Sequence, residues 1–128
     1  MSMSTWFLCM AAPGEKCATA RIGRLVLQEG DWEGRRLLSK QAVRDVTGDA
    51  GLPGHCGMGW WSNNEGVYDK VPKDMFWGSG AGHQILVVIP SLNLLAVRNG
   101  EALPITGTEP QKYHEPVREL LFEPLVAA

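Results

Sequence analysis

The chain of 128 residues lacks the features that mark several large classes of protein. Its longest apolar run, Ile85 to Pro90, is far shorter than the roughly 20 residues of a membrane-spanning helix. No basic residue precedes the short apolar segment Trp6 to Ala12, so we expect a buried segment there rather than a leader peptide. The net charge of -2 offers no field for nucleic acid. The sequence therefore predicts neither a membrane span nor a nucleic-acid partner.

Cysteine is also scarce, with Cys9, Cys17 and Cys56 as its only examples. An odd number leaves at least one thiol unpaired in a monomer, and the spacing matches no paired metal-ligand motif. We predict no metal ion and no other cofactor. Buried free thiols are the favoured interpretation, and a disulfide between Cys9 and Cys17 is the alternative for an exported protein.

Length and apolar content predict one domain, residues 1–128, with a core of its own. Ser39 is a typical N-cap for a short helix from Lys40 to Val46. Before it, apolar residues at helical spacing predict one face of a longer helix that ends at Gly30, namely Ala18, Ile22, Leu25 and Val26. The helical part is expected over about residues 15–47.

Residues rich in β-branched and aromatic side chains dominate the next part of the chain, about 57–100. They predict an antiparallel sheet of about four strands, with a tight turn at Pro90–Asn93. The expected strands are Met58–Ser62, Met75–Gly82, His83–Ile89 and Leu94–Arg98. A last helix over about 110–123 is predicted by Tyr113, Val117, Leu120 and Leu121. The expected fold class is α+β, with two N-terminal helices and a C-terminal helix packed on the sheet.

The glycine-rich segment Gly78–Gly82 invites a chemical interpretation. A phosphate-binding loop needs a helix directly after it, whereas His83 onward is typical of a strand. A nucleophile elbow needs glycine two residues before its serine, and Trp77 stands there before Ser79. The remaining interpretation is a strand whose glycines let other backbone approach closely.

Several segments carry a family resemblance through their sequence and their order. They are Cys17–Arg21, Gly23–Leu27 and Trp32–Ser39 in the helical part, and Gly57–Trp61, Phe76–Gln84, Val87–Pro90 and Leu94–Arg98 in the sheet. Together they resemble the C-terminal part of serine β-lactamase and penicillin-binding-protein-like hydrolases. The resemblance covers roughly residues 15–100. It implies a partial β-lactamase/transpeptidase-like fold, amide, ester or β-lactam acyl transfer in full-length relatives, and a small-molecule or peptide-like substrate. Such relatives are often periplasmic or secreted and some are cytoplasmic, so the location stays open.

The family's Lys-Thr-Gly or His-Thr-Gly strand, one wall of its active site, falls on Gly78, Ser79 and Gly80. Gly78 replaces the basic residue, while Ser79 keeps a hydroxyl for a substrate carboxylate or carbonyl and Gly80 keeps the strand accessible. The amide of Ala81 corresponds to the donor that stabilises the developing oxyanion. The resemblance therefore implies that Gly78, Ser79, Gly80 and Ala81 bind substrate.

The catalytic half of the family's machinery is missing. No serine has a lysine three residues later, and neither tyrosine has an asparagine two residues later. Two Ser-x-Asn strings, Ser62–Asn64 and Ser91–Asn93, are interpreted as turns. His83 and His55 are interpreted as structural or surface residues, since no nucleophile is fixed beside either. We predict no complete catalytic set and no turnover by this chain alone.

A C-terminal fragment of such a hydrolase should expose sheet surface that an N-terminal part, or a second copy in a homo-oligomer, would cover. The alternative function, from another class, is a non-catalytic binding or assembly module. It would use a tryptophan-rich sheet face of Trp60, Trp61 and Trp77. Burial of these rings in the core is the competing interpretation.

Overall fold

The structure is a computed structural model that describes residues 6–10, 15–48, 50, 51, 56–104 and 114–128, with backbone alone for 6–10 and 15–17. His55 and Tyr113 lie outside the described residues, as do the side chains of Cys9 and Cys17. Cys56 is a free thiol. For Cys9 and Cys17, the favoured buried free thiols and the alternative disulfide both stay predictions, because their side chains lie outside the described structure.

Three helical regions and seven strands make up the described chain. In order they are β1 (Trp6–Met10), α1 (Glu15–Leu27), β2 (Asp31–Trp32), β3 (Arg35–Arg36), α2 (Lys40–Thr47), β4 (Trp61–Ser62), β5 (Phe76–Gly80), β6 (Gln84–Ile89), β7 (Leu94–Arg98), α3 (Glu115–Val117), a π-helical turn (Arg118–Phe122) and α4 (Glu123–Ala127). The last three are continuous and are called the C-terminal helix. The predicted α+β class is confirmed.

The main sheet has the strand order β1-β7-β6-β5-β4, in which β4 to β7 form the expected antiparallel meander. Within the segment Trp6 to Ala12, which is predicted to be buried, Trp6–Met10 forms a fifth strand, β1, that pairs with β7 in parallel. Burial of its side chains stays a prediction, because they lie outside the described structure. A second sheet has two strands, β2 and β3, joined by a turn at Glu33–Gly34. Ser39 caps α2 as predicted, since its Oγ accepts a hydrogen bond of 3.0 Å from the amide of Ala42.

The central strand β6 is apolar and buried at almost every position. The sheet is therefore covered on both faces along this strand. Alternate side chains of a strand point to opposite faces, so Ile85 and Val87 join one cluster while Leu86 and Val88 join the other. The C-terminal helix covers the first cluster, and α1 covers the second. We call these the C-terminal face and the α1 face of the sheet.

The face of α1 that contacts the sheet differs from the prediction. Ala18 is exposed and Ile22 is 56% exposed. Val26 packs on the sheet as predicted, but Ala20 and Gly23, at three-residue spacing before it, take the places expected for Ala18 and Ile22. A Cβ added at Gly23 would lie 2.3 Å from Cδ1 of Leu95, so the absence of a side chain there lets the helix approach β7. Apolar spacing alone could not reveal a face built on glycine.

The C-terminal helix also departs from the prediction. Val117 is fully buried, but Leu120 is 61% exposed and Phe122 takes its place in the core. The π-helical turn explains the change, because its wider hydrogen-bonding pattern places residues five apart, Val117 and Phe122, on one face. The helix then passes Pro124, where we expected it to end, and continues to Ala127.

The central strands β6 and β7 are covered on both faces, so the exposed sheet surface expected of a fragment does not lie there. Large exposed apolar side chains occur instead on helices, loops and turns: Ile22, Leu37, Leu38, Met58, Val67, Leu92 and Leu120. Among the described residues, every helix is too short or too polar to cross a membrane.

Candidate functional site

The predicted site residues lie where β5 turns into β6. Gly78, Ser79 and Gly80 are on β5, as expected. The strand was predicted to reach Gly82 but ends at Gly80, because Gly82 and His83 have positive φ angles of 72° and 57° that turn the chain back. Ala81 is therefore an exposed residue of a hairpin turn.

The two key positions of the motif face opposite sides of the sheet. Ser79 lies on the C-terminal face with Trp77, two residues earlier. A Cβ at Gly78 would point to the α1 face, 3.9 Å from Cζ3 of Trp60. A basic side chain at position 78 would thus start from the opposite face to the Ser79 hydroxyl.

Ser79 contacts a residue that sequence reasoning missed. Its Oγ lies 3.2 Å from Nε2 of His114, at the start of the C-terminal helix and 35 residues away. Ser79 is half-buried and His114 is buried. The pair joins the end of β5 to the helix that covers this face. No local pattern links the two positions, because only the packing of the helix brings them together.

His114 packs edge-on against two stacked tryptophan rings. Its ring centroid lies 4.8 Å from that of Trp61 and 5.7 Å from that of Trp77, both in edge-on arrangements. Burial lowers the pKa of His114 to about 4, and the electrostatic influence of nearby His83 acts in the same direction. The imidazole is neutral at physiological pH. A base this weak is poorly matched to removing a proton from a serine hydroxyl near pH 7.

His83 is completely buried and has a structural contact, in line with its interpretation from sequence. Its Nδ1 accepts a hydrogen bond of 3.2 Å from the amide of Leu103, and its carbonyl accepts one of 2.7 Å from Arg98. These bonds tie the β5–β6 turn to β7 and to the segment after it.

Beyond β4, the outer edge of β5 has no strand partner among the described residues, and we call this stretch the open edge of β5. The amide of Asn63 donates to the carbonyl of Met75, so the backbone groups of residue 75 and of alternate residues after it point toward β4. Ser79 belongs to this set. Yet β4 pairs only with Phe76 and Trp77, and no other described strand continues along this edge. The N–H and C=O of Ser79 thus face a side that lacks a strand partner in the described ranges.

The three tryptophans of the alternative function do not form one surface. Trp61 packs on the C-terminal face, where Trp77 is only 3% exposed. Trp60 packs on the α1 face, with its ring 5.4 Å from that of Phe76. The alternation of side chains along a strand separates neighbours such as Trp60 and Trp61.

Both Ser-x-Asn strings lie in turns, as interpreted from sequence. Ser62 Oγ donates to Oδ1 of Asn64 and accepts from its amide. At the other string, Asn93 is left-handed with φ of 47°, and Asp74 accepts hydrogen bonds from the amide and hydroxyl of Ser91. Within the ranges described, no group of three or more histidine, cysteine or acidic side chains could hold a metal ion.

The lowered pKa of His114 predicts that stability decreases in acid. The unfolded chain takes up a proton on this histidine near pH 6.5, whereas the folded protein does so only near pH 4. Between these values the unfolded state binds more protons, so the free energy of unfolding rises with pH. We expect a gain of at most about 3 kcal/mol between pH 4 and 6.5.

Urea unfolding at several pH values measures this change, with His114→Gln as the reference that cannot titrate. The difference in slope between the two proteins isolates the histidine from the carboxylates. Equal slopes would contradict a buried, neutral His114.

The site is thus a half-buried hydroxyl, held to a neutral imidazole and placed beside an open strand edge. It offers hydrogen-bond donors and acceptors to a carbonyl, an amide or a carboxylate, and it lacks an effective base for nucleophilic attack. No family model matches this chain, and no curated protein or solved structure is similar enough to it to show a relationship.

Proposed function

We propose that this chain is the C-terminal part of a β-lactamase-related serine hydrolase, and that the end of β5 binds the substrate of acyl transfer. The open edge of β5 at Ser79 is the observation that carries the proposal. The order of sequence segments from Cys17 to Arg98, which resembles that family, supports it.

A strand edge suits an amide-containing substrate. The backbone N–H and C=O of Ser79 can pair with an extended amide in the manner of an added strand. The Ser79 hydroxyl stands on the same strand, and its bond to His114 fixes its direction before a ligand arrives. A group that is already oriented loses little entropy on binding. The exposed turn at Ala81 offers a further amide donor at the end of the strand.

Binding without turnover is expected of this chain. It contains no Ser-x-x-Lys, and the one histidine that contacts Ser79 has a pKa of about 4. The nucleophile would belong to an N-terminal part that stands opposite the outer edge of β5. A longer polypeptide or another subunit would supply that part. The substrate would be a small molecule or a peptide-like compound.

Benzylpenicillin is a suitable probe, since it carries an amide, a lactam carbonyl and a carboxylate. We expect saturable shifts of the amide resonances of Ser79, Gly80 and Ala81 in two-dimensional ¹H–¹⁵N NMR spectra. Ser79→Ala should weaken binding about five- to tenfold, the effect of one hydrogen bond between neutral groups. Ser91→Ala, at the opposite end of the sheet, is the matched control and should leave the affinity unchanged.

Mass spectrometry of the same samples should find intact penicillin and no acylated protein. Shifts that cluster away from β5, or equal loss of affinity in both serine variants, would refute the proposed site. Hydrolysis of a chromogenic cephalosporin by the wild type but not by Ser79→Ala would show that the missing-nucleophile argument is wrong.

A further inference from the structure

A polar cavity, separate from the site on β5, lies between α1 and the β2–β3 hairpin. Its volume is about 460 Å³, within the usual range for small-ligand pockets. The lining residues are Ala20, Arg21, Arg24, Trp32 and Glu33. Neither the resemblance nor the proposed function assigns a role to it. We propose that this cavity binds a small aromatic anion, a carboxylate or phosphate on a planar ring.

Charge favours an anion here. The lining holds two guanidinium groups and one carboxylate, which leaves an excess of one positive charge. Among the described residues, the side chain of Arg21 has no ion pair or hydrogen bond. The side chain of Arg24 has an ion pair only with Glu33, at 3.9 Å. That distance exceeds a hydrogen bond, and both side chains are partly exposed, so the pair is weak. The N–H groups of both arginines remain available to a ligand.

Geometry favours a planar ligand. The guanidinium carbon of Arg24 lies over the Trp32 ring, 4.9 Å from its centroid, so a cation–π contact holds the cation beside the indole. The planar guanidinium fork suits the two oxygens of a carboxylate or phosphate. The indole and the methyl group of Ala20 provide an apolar wall for a ring.

The hairpin that carries Trp32 is braced against the rest of the chain. Asp31 Oδ1 accepts a 2.9 Å hydrogen bond from the amide of Gly34 across the turn. Arg36 donates to the carbonyls of Glu29 and Leu38, at 2.9 and 3.1 Å. The cavity walls are therefore set before binding, which limits the entropy lost when a ligand enters.

The test uses benzoate and phenyl phosphate as probes, with benzyl alcohol as the neutral analogue. For ligands of this size we expect dissociation constants on the order of millimolar. NMR titration of the full chain should show saturable shifts of the Trp32 indole N–H and of the Arg21 and Arg24 Nε–H resonances. Benzyl alcohol should give none. The relative affinity of the two anions identifies whether carboxylate or phosphate is preferred.

Arg24→Gln should weaken anion binding about tenfold or more, and Arg24→Lys should restore only part of the loss because lysine keeps the charge but not the fork. Arg44→Gln removes the same charge from the exposed side of α2, outside the cavity, and should leave binding unchanged. Equal weakening by Arg24→Gln and Arg44→Gln, equal shifts with benzyl alcohol, or no saturable shift would overturn the proposal. These outcomes are independent of binding at β5.

Discussion

Replacing Asn63 by alanine is expected to lower the free energy of unfolding by about 4 kcal/mol. Asn63 is completely buried, and its Nδ2 donates to the carbonyls of Tyr68, Val71 and Pro72 at 3.0 to 3.2 Å. Its Oδ1 accepts from the amide of Tyr68 at 2.9 Å. Alanine would remove this partner from all four backbone groups. The carbonyls of Tyr68 and Pro72 would keep hydrogen bonds from the amides of Val71 and Met75. The carbonyl of Val71 and the amide of Tyr68 would lose the side-chain partner that they have in the interior, and each such loss costs about 1–3 kcal/mol before relaxation.

Urea unfolding followed by circular dichroism measures the effect. Asn64→Ala is the matched control, because Asn64 is exposed and bonds only within its own turn, so we expect a loss below about 1 kcal/mol. Asn63→Asp sharpens the test. It preserves shape and the acceptor for Tyr68 but replaces the amide donors by a carboxylate beside three carbonyl oxygens. A mild effect of both Asn63 variants would contradict the hydrogen-bond network.

The same asparagine also matters for the candidate site. Its backbone amide donates to Met75, the bond that fixes which backbone groups of β5 face β4 and its open continuation. Its side chain holds the linker that brings Val71 and Met75 into the core on the C-terminal face. Asn63, the middle residue of the Ser-x-Asn string Ser62–Asn64, thus helps to orient the strand that we propose binds substrate.

Local signals account for the elements that sequence predicted well. Ser39 stands directly before the helix that it caps, and the apolar runs of β6 and β7 flank a turn with asparagine in the left-handed region. Each feature depends on residues a few positions apart, where side-chain type and backbone preference act directly. The end of β5 at Gly80 was missed because glycine fits both a strand and a turn.

Contacts between distant segments account for what sequence could not predict. Ser79 meets His114 only because the C-terminal helix docks over β5, and α1 turns Gly23 rather than Ile22 to the sheet because close approach outweighs apolar area. The motif placed Gly78 to Ala81 correctly at one strand end but gave no sign of the histidine beside it. The nucleophile and base that accompany this motif in the family are residues that this sequence does not contain.

Phe122→Ala should be as damaging as the loss of Asn63, and it tests how the site depends on the helix. The side chain is completely buried, with its ring 5.1 Å from that of Trp77 and 5.8 Å from that of Tyr68. Truncating a buried phenylalanine removes its apolar contacts and leaves a cavity, at a cost of about 3–5 kcal/mol. The loss falls at the place where the C-terminal helix is fixed to β5.

The response of His114 separates local loosening of the helix from general destabilisation. If Phe122 anchors the helix, water reaches the imidazole in Phe122→Ala, and the pKa of His114, followed by NMR, should rise from about 4 toward its ordinary value near 6.5. Leu120→Ala, on the exposed side of the same helix, should change stability by less than about 0.5 kcal/mol and leave this pKa unchanged. A destabilised but fully folded Phe122→Ala with an unchanged His114 pKa would mean that contacts other than the ring hold the helix against Ser79.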